Sequence, residues 1–223
     1  KEGRRLYENM FKCIMYTLAS KIGLVFMLLI PILLDVPLPF APIQIIIMEL
    51  FMDLSASTSF VVEPAESDLL KQKPRDPNEK FMNRKMISGI FTGSLTLIVV
   101  VLFVYFFSWF TTGDLGAAQT YAFVAWLFCH ILLAMNMRTS RVPLIRVGYF
   151  SSKAMNIWVI GVIVFLILVL NVAFFIEYLK LSQVGILPII GIVLLSFAAT
   201  YWIEIRKILR IKKGGAGGSG SLV

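Results

Sequence analysis

Six apolar stretches, each long enough to cross a bilayer, constrain this chain more than any other feature. They run over roughly 11–34, 41–62, 86–110, 119–137, 157–178 and 184–203. A hydrocarbon core of about 30 Å takes about 20 helical residues to span. Composition agrees: hydrophobic residues make up 58% of the chain, charged residues 15%, and mean hydropathy is +0.84. Soluble domains run nearer 45–50% apolar and about 25% charged. The expected fold is an all-α integral membrane protein, a six-transmembrane-helix bundle of three hairpins.

Charge sets the orientation. The formal net charge is +8. Nineteen of the 21 Lys and Arg fall in the N-terminus, the 63–85 loop, the 138–153 loop and the C-terminus. Lys180 lies in the opposite set of loops, and Lys21 lies inside the first span. This positive-inside pattern places both termini in the cytoplasm and the protein in a membrane, the plasma membrane being expected. The basic residues are expected to set orientation and meet anionic lipid heads, which argues against a nucleic-acid partner. Cys13 and Cys129 belong to separate helices and read as packing thiols rather than a disulfide.

Short turns join the spans. Asp35 to Phe40 (DVPLPF), TTGDLGAAQ and EYLKLSQ face outward, and RTSRVPLIRVGYFSSK is a basic internal loop. The 63–85 segment is the sizeable polar loop, where Pro74 and Pro77 argue against a continuous helix. The opening KEGRRLYENM does not resemble a cleavable signal. Its helical character suggests a fragment or a processed chain. Residues 1–10 are expected to form a cytoplasmic stalk, 11–213 the membrane domain, and 214–223 (GGAGGSGSLV) a linker or tag remnant.

The chemistry lies in ionisable residues at membrane depth. A charge at mid-bilayer costs about 2.5–3.5 kcal/mol on insertion scales, so such groups pair or line an ion path. Glu49 and Asp53 are one turn apart on one helix face, and the short external turn makes their helix the antiparallel neighbour of the one carrying Lys21. One ammonium against two carboxylates leaves one negative charge, suited to a proton or one monovalent cation. Two readings follow: an ion-handling site, or a structural rivet with the second acid protonated by burial. His130, in the fourth span, is either a satisfied buried imidazole or part of the path. Asn136 and Asn171 are expected to bond between helices, and Gly89 and Gly93 (GxxxG) to permit close helix packing. The chain shows no phosphate-loop, DKTG-like, Ser/His/Asp or Cys/His metal motif, so no ATP hydrolysis, cofactor or resident metal is expected of it.

These residues resemble the C-terminal six helices of type II P-type cation-transporting ATPases. EGRRLYENM is similar to the stalk leading into the fifth transmembrane helix. The segment IPILLDVPLPFAPIQIIIMELFMDLSASTSFVVEPAESDLLKQKPRDP is similar to the fifth–sixth helix hairpin and its following loop. PLPFAPIQ, the Glu49/Asp53 spacing and AESDLLKQKPRDP carry the match, which covers residues 1–213 but about the last quarter of such a pump.

The resemblance implies that Glu49 and Asp53 bind transported ions in an unwound sixth helix, Asp53 as shared ligand. It implies that His130 stands where calcium pumps carry a glutamate ligand. Lys21 replaces the usual Asn of YTLxSN, Leu24 a ligand Glu, and Met52 the Thr of calcium pumps. Calcium takes six to eight oxygens, so the substitutions favour a proton or monovalent cation. The gastric proton pump has a lysine one position earlier in the same helix. ATP and magnesium are then expected only of a complete pump. Other expected partners are lipid, the missing N-terminal helices and cytoplasmic domains, and a second copy in a homodimer. The alternatives are a pump-derived scaffold with no transport cycle and an ATP-independent leak pathway.

Overall fold

The computed structural model describes residues 2–50, 55–64, 81–139 and 143–216. Among the described residues the regular structure is helical, α-helix apart from a π-type turn at Glu49 and Leu50. The elements are α1 (Glu2–Leu33), α2 (Pro42–Met48), α3 (Ser55–Val61), α4 (Arg84–Thr112), α5 (Leu115–Met137), α6 (Leu144–Val147), α7 (Lys153–Asn171), α8 (Ala173–Tyr178) and α9 (Ile186–Ala216). Five of them, α1, α4, α5, α7 and α9 as far as Leu209, are long and apolar enough to cross a membrane. The chain is an integral, multi-pass membrane protein.

The expected spans differ from the observed helices in four places; the sixth span, expected over 184–203, is carried by α9, which runs on to Ala216. The first expected span starts at 11, but α1 runs unbroken from Glu2, so stalk and membrane helix are one rod. At 1.5 Å per residue its 32 residues make a rod of about 48 Å. The second span, 41–62, is carried by the short helices α2 and α3; residues 51–54, with Asp53, lie outside the described residues. The fifth span, 157–178, is divided at Val172, whose extended backbone (φ −97°, ψ 118°) closes α7 and opens α8. Asn and β-branched Val are weak helix formers, and this pair stands at the division. The proline-bearing part of the 63–85 loop also lies outside the described residues.

Local chemistry explains the helix ends. Pro42 starts α2 where its missing N–H costs nothing. Gln44 Oε1 accepts from the Ala41 amide at 3.1 Å, while its Nε2 donates to the Leu179 carbonyl at 2.9 Å. Asn83, Asp114 and Ser152 each accept an amide of the helix that follows, at Met86, Ala117 and Met155. The outward turn after α1 is held by Tyr105, whose hydroxyl donates to the Pro37 carbonyl, and by Gln119 Nε2, which donates to the Leu38 carbonyl at 2.8 Å.

Helix α5 forms the middle of the bundle, with Phe123, Trp126, Leu127 and Leu133 all buried. Its main neighbours are α4 and α9, and α4 in turn lies along α1. Gly89 and Gly93 sit where α4 meets these partners. A Cβ on Gly93 would stand 2.7 Å from Met137 Cε and 3.1 Å from Ala19 Cβ, and one on Gly89 would overlap Met15 Sδ. Asn136 and Asn171 depart from expectation: each side-chain amide donates at 2.8 Å to a carbonyl of its own helix, Leu132 and Ile167 respectively. The carbonyl four residues back is always within reach, whereas Asn171 is exposed and α5 offers Asn136 a local acceptor.

Candidate cation site

One face of α1 organises the site. Asn9, Cys13, Tyr16 and Ser20 recur at helical spacing and all turn toward α3 or α5. Asn9 Nδ2 donates to the Val61 and Glu63 carbonyls at 3.2 and 2.7 Å. Cys13 Sγ donates to the Ser57 carbonyl at 4.0 Å. The Tyr16 ring packs on Phe60, centroids 5.4 Å apart, and edge-on to His130 at 5.8 Å. Both cysteines are free thiols.

Lys21 leaves α1 one residue beyond this face, about 100° around the helix. Its Nζ forms an ion pair with Glu49 Oε2. Glu49 follows directly on α2, where the backbone passes into a π-type turn over Glu49 and Leu50. Such turns interrupt helices at functional positions. The two side chains are 40% and 34% exposed, so the pair lies on the flank of the bundle rather than in its core. Asp53 cannot be placed beside it, being outside the described residues.

His130 is fully buried and reaches α1 at Ser20. Its Nδ1 lies 3.2 Å from the Trp126 carbonyl, and its Nε2 is 2.8 Å from the Ser20 hydroxyl. A carbonyl only accepts, so Nδ1 carries a proton. The hydroxyl serves as donor to neutral Nε2 or as acceptor from a protonated one. The imidazole therefore keeps both bonds in either charge state. The Trp126 ring, tilted 37° to the imidazole with centroids 4.1 Å apart, packs against it. The structure thus joins Lys21 with Glu49 and His130 with Ser20, from consecutive residues of α1. Among the described residues no three His, Cys, Asp or Glu side chains gather as a metal cluster.

Two ion-pair networks at the basic end of the bundle escaped the sequence reading. Arg138, 1% exposed, donates from Nε to Glu63 Oε1 at 2.6 Å, and to the Tyr149 carbonyl and Ser151 hydroxyl. On α9, buried Glu204 accepts from Lys207 Nζ at 2.6 Å and from the Leu144 amide at 2.8 Å. Tyr149 sits nearby, its hydroxyl pKa pushed up by burial and then by the charges of Glu204 and Tyr201. Arg138 at the end of α5 and Lys12 within α1 are both buried, and so depart from the expectation that the basic residues meet lipid heads. Glu63 at the end of FVV and Glu204 within an apolar helix were the available signals. A carboxylate bordering membrane depth calls for a cation partner.

The sequence is similar to that of proteins of a known class. The family described as Cation transporting ATPase, C-terminus, matches residues 37–209. A calcium-transporting ATPase of Bacillus subtilis (strain 168) is 31% identical over 180 residues, which make up 78% of this chain and 19% of that protein. The sodium/potassium-transporting ATPase subunit alpha of Drosophila melanogaster is 38% identical over 109 residues, or 48% of this chain and 10% of that one. Calcium-transporting ATPase 1 of Saccharomyces cerevisiae is 22% identical over 214 residues, covering 96% of this chain. The chain spans no more than 22% of the length of any of these three relatives. With 37–209 of its residues matched and its apolar helices in place, the chain belongs to the cation-transporting ATPase family, as a C-terminal membrane domain.

Proposed function

We propose that this domain binds and passes a proton or a monovalent cation, with Lys21 as a tethered counter-ion to Glu49 and Asp53. The observation that carries the reading is the Lys21–Glu49 ion pair between α1 and the end of α2. An ammonium already holding one carboxylate leaves a single acidic charge for cargo, and it repels a divalent ion more strongly than a monovalent one. The relatives' names divide between calcium and sodium/potassium transport, so the preference rests on the ion pair. In this reading Gly89 and Gly93 hold α4 close to α1 and α5, and His130 lends α1 a proton-accepting neighbour at Ser20.

Coupling would run through α1. This helix is fastened to the second membrane segment on both sides of residues 51–54: by Lys21 to Glu49, and by Asn9 to the Val61 and Glu63 carbonyls. Tilting or turning the rod would move both ends of that segment together. ATP and magnesium would act on other domains of a complete pump. Both termini would lie in the cytoplasm, in keeping with the basic loops. A scaffold would also use the ion pair as a rivet, but it has no need of a rod unbroken from Glu2 to Leu33.

Binding to the purified chain in lipid nanodiscs tests the proposal. Radioactive calcium should bind wild type no more tightly than Glu49→Gln/Asp53→Asn. Lys21→Met should gain affinity for rubidium or calcium by about tenfold or more. Calcium held tightly by wild type and lost in the double variant would overturn the monovalent reading.

A further inference from the structure

A cleft of about 340 Å³ opens between α1, α4, α5 and α9 at the basic end of the bundle. Arg84 and Lys85, the first residues of α4, stand exposed at its rim. Farther in, the wall is formed by the flexible thioethers of Met15 and Met137 beside Gly89 and Gly93. Lys85 Nζ lies 6.0 Å over the Phe11 ring, and Lys207 supplies a third cation, whose Nζ donates to the Asn136 carbonyl at 2.5 Å, to Thr139 Oγ1 at 3.1 Å and to Glu204 at 2.6 Å.

A separate observation shows that this wall is incomplete. Asn136, 6% exposed, lines the cleft. Its Nδ2 donates to Leu132, but its Oδ1 is buried with no hydrogen-bond partner among the described residues. A buried amide oxygen of this kind calls for an N–H or O–H that the described residues do not supply. Asn136 also borders a second cleft, between α5, α7 and α9, where Val159, Ile160, Ile163 and Phe197 stand beside Tyr149, Asn156, Tyr201 and Glu204; its open surface is almost wholly apolar and suits hydrocarbon.

We infer that the cleft between α1, α4, α5 and α9 is a binding site for the headgroup of an anionic phospholipid. The phosphate sits between Arg84 and Lys85, and a headgroup hydroxyl or ammonium donates to Asn136 Oδ1. The thioether wall, which adapts its shape at little cost, accommodates the glycerol and the first methylenes. Basic pockets between membrane helices on the cytoplasmic side recognise phospholipid heads in this way. The α4 N-terminus adds its partial positive charge near the phosphate. A soluble phosphate would gain the cations but not the apolar wall, which is why the lipid is the occupant. The inference holds whichever ion the domain carries.

The test uses the whole chain, delipidated in neutral detergent and titrated with phosphatidylglycerol, phosphatidylcholine or inorganic phosphate while its melting temperature is followed. Phosphatidylglycerol should raise the melting temperature saturably, and the other two should not. Arg84→Gln/Lys85→Gln should weaken the effect tenfold or more, and Asn136→Leu several-fold. Arg146→Gln/Lys153→Gln, which removes two exposed charges away from the cleft, should change it less than twofold. Native mass spectrometry of wild type should retain one phosphatidylglycerol per chain, a readout independent of whether any variant folds. Equal losses in the two charge-removing pairs would overturn the site in favour of general surface attraction. Stabilisation by inorganic phosphate equal to that by lipid would overturn the lipid as occupant, and no retained lipid would overturn both.

Discussion

Arg138 illustrates how much one side chain can hold together at the edge of a membrane. Its guanidinium ties α5 to Glu63 beyond α3 and to the Tyr149–Ser151 segment ahead of α7. Glu63 in turn accepts Asn9 of α1 through its main-chain oxygen. Removing one member of a buried pair strands the other charge, which costs about 3–5 kcal/mol, while replacing both often costs far less. Arg138→Met should therefore destabilise the chain by about 3–5 kcal/mol in detergent unfolding. The Glu63→Leu/Arg138→Met double variant should recover more than half of that loss. Additive costs would mean that the two groups do not interact. The individual residues of this network are plain in the sequence, but their partnership is not. Glu63 and Arg138 are 75 positions apart, and no periodicity links them. Lys21 and Glu49 were legible because a short turn forces their helices side by side.

At the scale of elements, the apolar runs marked helices well and misjudged where they break. Hydropathy reports what lies at membrane depth, not backbone continuity. The window 157–178 is apolar but for Asn171 and Glu177, yet Val172 is extended; the first span's window begins at 11, yet the helix runs from Glu2 because a polar stalk is equally able to be helical. Close helix contact is the clearest element-level prediction. A Cβ at Gly93 meets Met137 Cε at 2.7 Å and Ala19 Cβ at 3.1 Å, so α4 has no room for a branched side chain there. Gly93→Ile should cost about 1–3 kcal/mol, the range for overpacking a filled interior. Gly161→Ile serves as the control, since nothing lies within 4 Å of a Cβ at that lipid-facing position. Equal melting temperatures for the two variants would show that α4 can move away from α1 and α5 freely.

The whole molecule has two unlike ends and one open flank. At one end Asn9, Glu63, Arg138, Glu204 and Lys207 form buried networks amid basic loops. The other end carries short turns, with Asp35 and Lys180 in left-handed backbone. The flank bearing Lys21 and Glu49 stays partly exposed, and bare hydrocarbon would penalise an ion pair there. Val25, Phe26 and Leu29, on the same stretch of α1, are exposed as well. The charge asymmetry then makes a prediction about direction. In sealed right-side-out vesicles, Asp114→Cys and Lys180→Cys should react with a membrane-impermeant maleimide within minutes, in a Cys13→Ala/Cys129→Ala background. Arg146→Cys and Lys153→Cys should react only after the vesicles are opened. Arg84, Lys85, Arg146 and Lys153 are exposed, whereas buried pairs neutralise part of the positive charge, so these four would carry much of any positive-inside signal among the described residues. Replacing all four with Gln should give a mixed population of the two orientations. Uniform labelling of Lys180→Cys from outside in that quadruple variant would mean that the buried networks, not the exposed charges, hold the domain's direction.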